Sequence, residues 1–88
     1  MICSDDAKRK SNIKKHGFDF AGSEKVFEGF TITREDDGYN ELRLQTLGLM
    51  NGVVVFIVHA PRGDVDHIIS IRKAEKHEER IYWQNFPT

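Results

Sequence analysis

The chain has 88 residues, 31% of them charged, and its 13 Lys and Arg against 14 Asp and Glu leave a formal net charge of −1. That length suits one small domain spanning residues 1–88, which buries only roughly 60 to 65% of its unfolded surface and so folds on a thin margin. The lone cysteine, Cys3, excludes an internal disulfide framework and a thiolate metal cluster and fits a reducing cytoplasm. No apolar run is long enough for a membrane span, and the N-terminus lacks the basic-then-apolar pattern of a signal peptide.

In chain order, Ser4 is placed as a helix N-cap, with Asp5 and Asp6 in the first turn where they complement the helix dipole and Gly17 as a stop after His16. These signals predict a helix over 5–16. Asp19 caps a second, short helix to Phe27, which has Phe20, Val26 and Phe27 to bury before Gly29 ends it. Phe30 to Arg34 alternates as a strand, and Glu35-Asp36-Asp37-Gly38 is read as a turn. Leu42 and Leu44 share one parity, Leu47 and Leu49 the other, so the next strand is expected to bulge near Thr46 or Gly48.

Asn51-Gly52 between two apolar runs is the strongest local signal, because both residues tolerate the positive φ of a type I′ hairpin turn. Val53 to Val58 is nearly unbroken and β-branched, as suits a central strand covered on both faces. After the turn at Pro61-Arg62-Gly63-Asp64, Val65, His67, Ile69 and Ile71 alternate with Asp66, Ile68, Ser70 and Arg72. A helix from about Ala74 to Trp83 follows, with Ala74 and Ile81 on one face. The order αα-ββββ-α predicts an α+β domain: two N-terminal helices, a four-stranded antiparallel meander sheet and a C-terminal helix, the helices packed on one face.

Charge is unevenly spread. Lys8, Arg9, Lys10, Lys14 and Lys15 crowd the first helix, whereas Asp19, Glu24, Glu28, Glu35, Asp36, Asp37 and Glu41 face only Lys25 and Arg34 in the segment after it. A basic surface for a polyanion is one reading of the lysines, and a solvated helix face is the plainer one. More informative is Ile68-Ile69-Ser70-Ile71-Arg72-Lys73-Ala74, a strand that runs into a helix with cations stacked at the corner. Arg and Lys there offer fixed charge and forked donors to a phosphodiester.

Metal-free RNA cleavage uses the substrate's own 2′-hydroxyl, so a protein must help deprotonate it, stabilise charge on the phosphoryl oxygens and protonate the departing 5′-oxygen. Arg72, fixed by its strand, fits the charge stabiliser, and Arg43 or Arg62 would add a second fork; their bland alternative is surface pairing with Glu78, Glu79 or Asp64. Among the histidines, His16 sits at a helix C-terminus among lysines, as acid–base candidate or simple cap; His59 and His67 are read as acid or base candidates or, more plainly, satisfied strand-rim residues, and His77 as solvated helix surface. Lys15, Lys73 and Arg80 are candidate phosphate grips, and Tyr82 either stacks a base or packs helix on sheet. No metal or other cofactor is expected, since no histidine pair has ligand spacing. Two other readings stand beside a ribonuclease: a binding module of the same fold without catalysis, and a protein built chiefly to hold a partner subunit.

Asn12, Lys15-His16-Gly17-Phe18, Phe20, Val26-Phe27, Arg43, Gly48, Arg62-Gly63, Ile68 to Ala74, Glu79-Arg80 and Tyr82, in that order and spacing, resemble the BrnT family of bacterial type II toxins. The resemblance covers about Asp6 to Tyr82 and departs from the family pattern at Ile2-Cys3-Ser4, where an aromatic residue is usual, and at Ile71, where a small one is common. It implies a fold like the RelE ribonucleases and an endoribonuclease that arrests translation. It also implies a ribbon-helix-helix antitoxin as partner, with DNA engaged only through that antitoxin, and no membrane.

Overall fold

Asn51 (φ 52°) and Gly52 (φ 80°) both take the left-handed conformation that a type I′ turn demands, and the hairpin they close sets the register of the whole sheet. The computed structural model describes residues 2–3, 5–36, 42–63 and 65–87. In chain order these form β1 (Ile2–Cys3), α1 (Asp6–His16), a single 3-10 turn (Phe20–Gly22) that runs into α2 (Ser23–Glu28), then β2 (Ile32–Asp36), β3 (Arg43–Met50), β4 (Val53–Arg62), β5 (Val65–Lys73) and α3 (Lys76–Asn85). The sheet has five strands in the order β1-β5-β4-β3-β2; β2 to β5 form the antiparallel meander, and β1 adds a two-residue parallel pairing, Ile2 with Asp66 and Cys3 with His67.

Both faces of this sheet are covered. On one, Phe20 and Val26 from the 3-10 turn and α2 pack with Met50, Val55, Ile57, Ile68 and Ile71. On the other, Tyr82 of α3 and Ala74 pack with Leu47 and Val54, flanked by Phe30, Ile32, Leu49, Phe56 and Phe86. Val54, Val55, Phe56 and Ile57 therefore enter the two layers alternately, which is why β4 reads as an unbroken apolar run. Gly48 lies under α2, where a Cβ would run into Cγ1 of Val26 and press on Cγ2 of Thr31 at 3.3 Å; only glycine lets helix and strand approach so closely.

Several expectations are corrected. The helices do not share one face, because an antiparallel sheet this apolar on both sides needs cover on both. The chain order is not αα-ββββ-α: β1 comes first, and α1 is the one long helix before the meander, the second being a 3-10 turn and a six-residue helix. The N-cap of α1 is Asp5, whose carboxylate accepts from the N–H groups of Ala7 (2.8 Å) and Lys8 (3.3 Å); Ser4 lies outside the described residues. β2 runs two residues later than expected and takes Glu35 and Asp36 from the supposed turn, of which Asp37 and Gly38 are outside the described residues.

No bulge interrupts β3, whose pairing with β2 and β4 is regular; the leucine parity switch reflects two covered faces. The irregularity lies in β5, where Val58 faces Ser70 but His59 faces Ile68, so that Ile69 is the extra residue. That insertion brings Ile68 and Ile71, three positions apart, into the same core layer. On α3 the buried side is Glu78 and Tyr82, not Ala74 with Ile81; Ala74 precedes the helix and Ile81 is exposed. No helix of the described residues is long and apolar enough to cross a membrane.

The first helix is fastened to the sheet by its one buried residue, Asn12. Its Nδ2 donates to the carbonyls of Ile71 and Phe18 (2.9 Å each), and its Oδ1 accepts from the N–H of Ile71 (3.1 Å). Arg9 adds a forked pair with Asp19 at 2.6 and 2.8 Å on the surface. Those hydrogen bonds, with one from the N–H of Ala21, hold the Asp19 carboxyl well below the usual carboxylate range, at about 2. Asn12→Ala strands the buried N–H and C=O of Ile71, so we expect a loss of about 2 to 4 kcal/mol in unfolding free energy, read by urea denaturation.

Candidate functional site

Register places four residues side by side across the face that α3 covers: Ile32 opposite Leu47, Leu47 opposite Phe56, and Phe56 opposite Arg72. Two residues along, Arg34 stands opposite Gln45, which faces Val58. Between these rows and α3 lies a hollow of about 110 Å³. Ile32, Leu47, Phe56 and Ile81 make its apolar part, and Arg34, Gln45, His77 and Glu78 its polar rim.

Arg72 stands at the edge of this hollow with its guanidinium over the ring of Phe56, 4.1 Å from the centroid. Its fork meets Glu78: Nη1 donates to Oε1 at 2.8 Å and Nη2 to Oε2 at 3.1 Å, while Nη1 also donates to the carbonyl of Lys73. Glu78, at the third position of α3, also accepts from the N–H of Glu75 (2.8 Å) and so ties the start of the helix to the end of β5. Burial works to raise the Glu78 carboxyl, but the hydrogen bonds from Arg72 and Glu75 and the charge of Arg72 together outweigh it and hold the group below its ordinary range.

On the opposite side of the hollow, Arg34 is held among the described residues by its Nε alone, which donates to Oε1 of Gln45 at 2.7 Å. Gln45 in turn donates from Nε2 to Oδ2 of Asp36 at 2.9 Å. His77 contributes an exposed imidazole, its Nδ1 3.6 Å from Oε2 of Glu75.

The other sequence candidates are spread more widely. Arg43 begins β3 on the same face, its Nε buried, but four residues or about 13 Å along the strand from Leu47. Arg62 is exposed at the far end of β4, and Lys73 is exposed beside Arg72 with the opposite strand parity. Arg80 is exposed on α3. Lys15 and His16 end α1 near the exit of β5, to which Asn12 anchors the helix, and neither lines the hollow. Tyr82 is fully buried: its hydroxyl donates to the carbonyl of Phe30 at 2.8 Å and its ring packs against Phe30, Trp83 and Phe86, burial raising the phenol above its ordinary range.

His59, read as a strand-rim residue, is 3% exposed and belongs to the opposite face, its ring edge-on to Phe27. Nδ1 lies 2.8 Å from Oδ1 of Asp66 and Nε2 2.7 Å from the hydroxyl of Thr46, which meets that of Thr33 at 2.8 Å. Arg34, Gln45, His77 and Glu78 are thus what sequence reasoning left out of the site. Counting pairs outward from Asn51-Gly52 would have put Gln45 opposite Val58 and Phe56 opposite Leu47, the signal that finds the hollow's floor.

The lowered Glu78 carboxyl has a signed consequence. A folded value below the unfolded one, about 4.5, means the Arg72 pairing stabilises fully above that pH and is lost as pH falls through the folded value. Wild type should exceed Glu78→Gln by about 1 to 3 kcal/mol near neutrality, and the gap should close as pH falls below 4.5 and through the lowered folded value, followed by calorimetric unfolding of both proteins across that range.

Comparison with curated proteins gives no match. The family model for BrnT, the ribonuclease toxin of type II toxin-antitoxin systems, matches residues 5–78, from the N-cap of α1 through both sides of the hollow to Glu78. The chain belongs to the BrnT family of ribonuclease toxins of type II toxin-antitoxin systems.

Proposed function

We propose that this protein is an endoribonuclease that cuts RNA by attack of the 2′-hydroxyl, without a metal, and thereby arrests translation in the cytoplasm. Family membership over residues 5–78 carries this reading. The sheet with its flanking helices is, in this proposal, a relative of the RelE ribonuclease fold. A ribbon-helix-helix antitoxin is the partner that restrains the enzyme, and DNA is reached only through it.

Arg72 is the residue we assign to charge stabilisation at the scissile phosphate. A carboxylate and a phosphate present similar paired oxygens to a guanidinium, so the Glu78 pairing seats the fork in the geometry that a phosphodiester would take over. As the 2′-oxygen bonds to phosphorus, its proton passes to a base; as the bond from phosphorus to the 5′-oxygen breaks, that oxygen takes a proton from an acid or from water. His16 is the base candidate from α1, and the exposed Lys15, Lys73 and Arg80 are candidate phosphate grips. Arg43 and Arg62 would contact the strand further from the scissile bond, and Tyr82, fully buried, packs α3 on the sheet and is not open to stack a base.

One observation favours the second reading, a binding module without catalysis: the Arg72 fork is already occupied by Glu78. Purified protein with a labelled RNA decides between them. Arg72→Ala should cut about 10² to 10³-fold more slowly than wild type, and expression of wild type but not the variant should slow bacterial growth. RNA that stays intact with folded wild type would leave the module.

A further inference from the structure

We propose that Arg34, on the outer strand β2, is a second substrate-binding arginine: it grips the backbone phosphate of a single-stranded RNA whose neighbouring base settles on the apolar floor of the hollow. The inference rests on the reading that the chain acts on RNA, and it names a residue and a subsite which that reading does not use.

The argument starts from which guanidinium is committed. Arg72 has its fork on Glu78 and its face on Phe56, so the two charges cancel at that edge. Arg34 is arranged the other way round. Only its Nε is engaged, by Oε1 of Gln45 at 2.7 Å, and its terminal Nη1 and Nη2 make no hydrogen bond to the described residues. A guanidinium held at Nε has its orientation set while its two-pronged end stays open, the geometry that bidentate phosphate recognition needs.

Gln45 explains why that end meets none of the described residues. Asp36 lies two residues along on the same strand face, opposite Arg43, and a direct pair with Arg34 would fill the fork. Instead the carboxamide stands between them, accepting from Arg34 with one end and donating to Asp36 at 2.9 Å with the other. The acid positions the arginine through an intermediary and leaves the cation's outer donors to another anion.

The rest of the hollow sets the ligand class. A phosphate alone would not need the floor of Ile32, Leu47 and Phe56, and an acidic peptide side chain would not profit from it. A nucleotide offers both halves, a planar ring of a size suited to a space of about 110 Å³ and an anionic ester beside it. Single-stranded RNA fits best, since an unpaired base can be splayed out of the strand.

The test uses a fluorescent single-stranded oligonucleotide in which every 2′-hydroxyl is methylated, so that binding is read without cutting. Arg34→Ala should bind at least about tenfold more weakly than wild type and flatten the slope of log affinity against log salt by about 0.7, one phosphate contact's worth for a single strand. Arg34→Lys should restore the salt slope but only part of the affinity, because a point charge replaces the fork. The side chain is exposed, so the unfolding midpoint of both variants should match wild type. Wild-type affinity and slope in Arg34→Ala, or no binding of the strand by wild type, overturns the proposal. Arg34-dependent binding by a wild type that leaves unmodified RNA uncut sinks the ribonuclease reading and upholds this one, whereas cutting by wild type with binding indifferent to Arg34 does the reverse.

Discussion

The carboxamide of Asn12 behaves as one residue of a missing β-strand. It donates to the carbonyl and accepts from the N–H of Ile71 at 2.9 and 3.1 Å, the pair of bonds that a neighbouring strand would make. β1 reaches only Asp66 and His67, so beyond it the outer edge of β5 would otherwise leave Ile71's polar groups buried and unsatisfied. Much follows from that clamp. With Ile71 held inward, alternation turns Arg72 onto the opposite face, where Phe56 lies beneath it and Glu78 in front. The bulge at Ile69 cooperates, since without the extra residue Ile68 and Ile71 would point to opposite faces.

Local signals in the sequence carried the fold where their physics is local. Asn51-Gly52 demands one turn type, and Gly17 at φ 79° ends α1 by donating back to the carbonyl of Ile13, as a glycine stop should. The unbroken run of β4 correctly indicated cover on both faces, yet the helices were still assigned to one. Which face a helix takes depends on its connection to the sheet, and nothing in the composition of α3 states it. The misplaced bulge has a related cause: leucines switching parity along β3 signal a slip only if one face is wet, and here neither is.

Arg72 was legible as a site candidate because a cation at a strand-to-helix corner is unusual in sequence. Its partner was legible only as one of several acids, since Glu78 and Glu79 are equivalent on paper and the helix phase chooses between them. Arg34 and Gln45 carry no such local mark. They become neighbours through cross-strand pairing, a relation between residues 11 positions apart that the hairpin register and the β2–β3 pairing must both supply. His59 was legible in half: its ring nitrogens are satisfied, by Thr46 and Asp66, but a histidine near a strand end looks like a rim residue until the layer above it is known, and Phe27 of α2 packs edge-on against the buried ring.

How a chain of net charge −1 would meet the polyanion of the proposed function depends on which charges are spent inside the fold. Arg9 is taken up by Asp19 and Arg72 by Glu78, pairs that pin α1 to the 3-10 turn and α3 to β5 and present no net field outward. Lys15 and Lys73 are exposed on the α1 side and at the exit of β5, and the donor end of Arg34 opens at the other edge of the α3 face. Under the proposed function, a phosphodiester chain held at Arg34 would lie along the hollow toward Arg72. Its approach would not need to expose Arg72 beforehand: an oxygen pair arriving beside Glu78 would compete for the same fork, and the carboxylate would give way to a ligand that also holds on elsewhere. Weak isolated anions would then leave the Glu78 pairing intact, while a strand anchored at several phosphates would displace it, and under the proposed function the ion pair would favour polymers over single nucleotides.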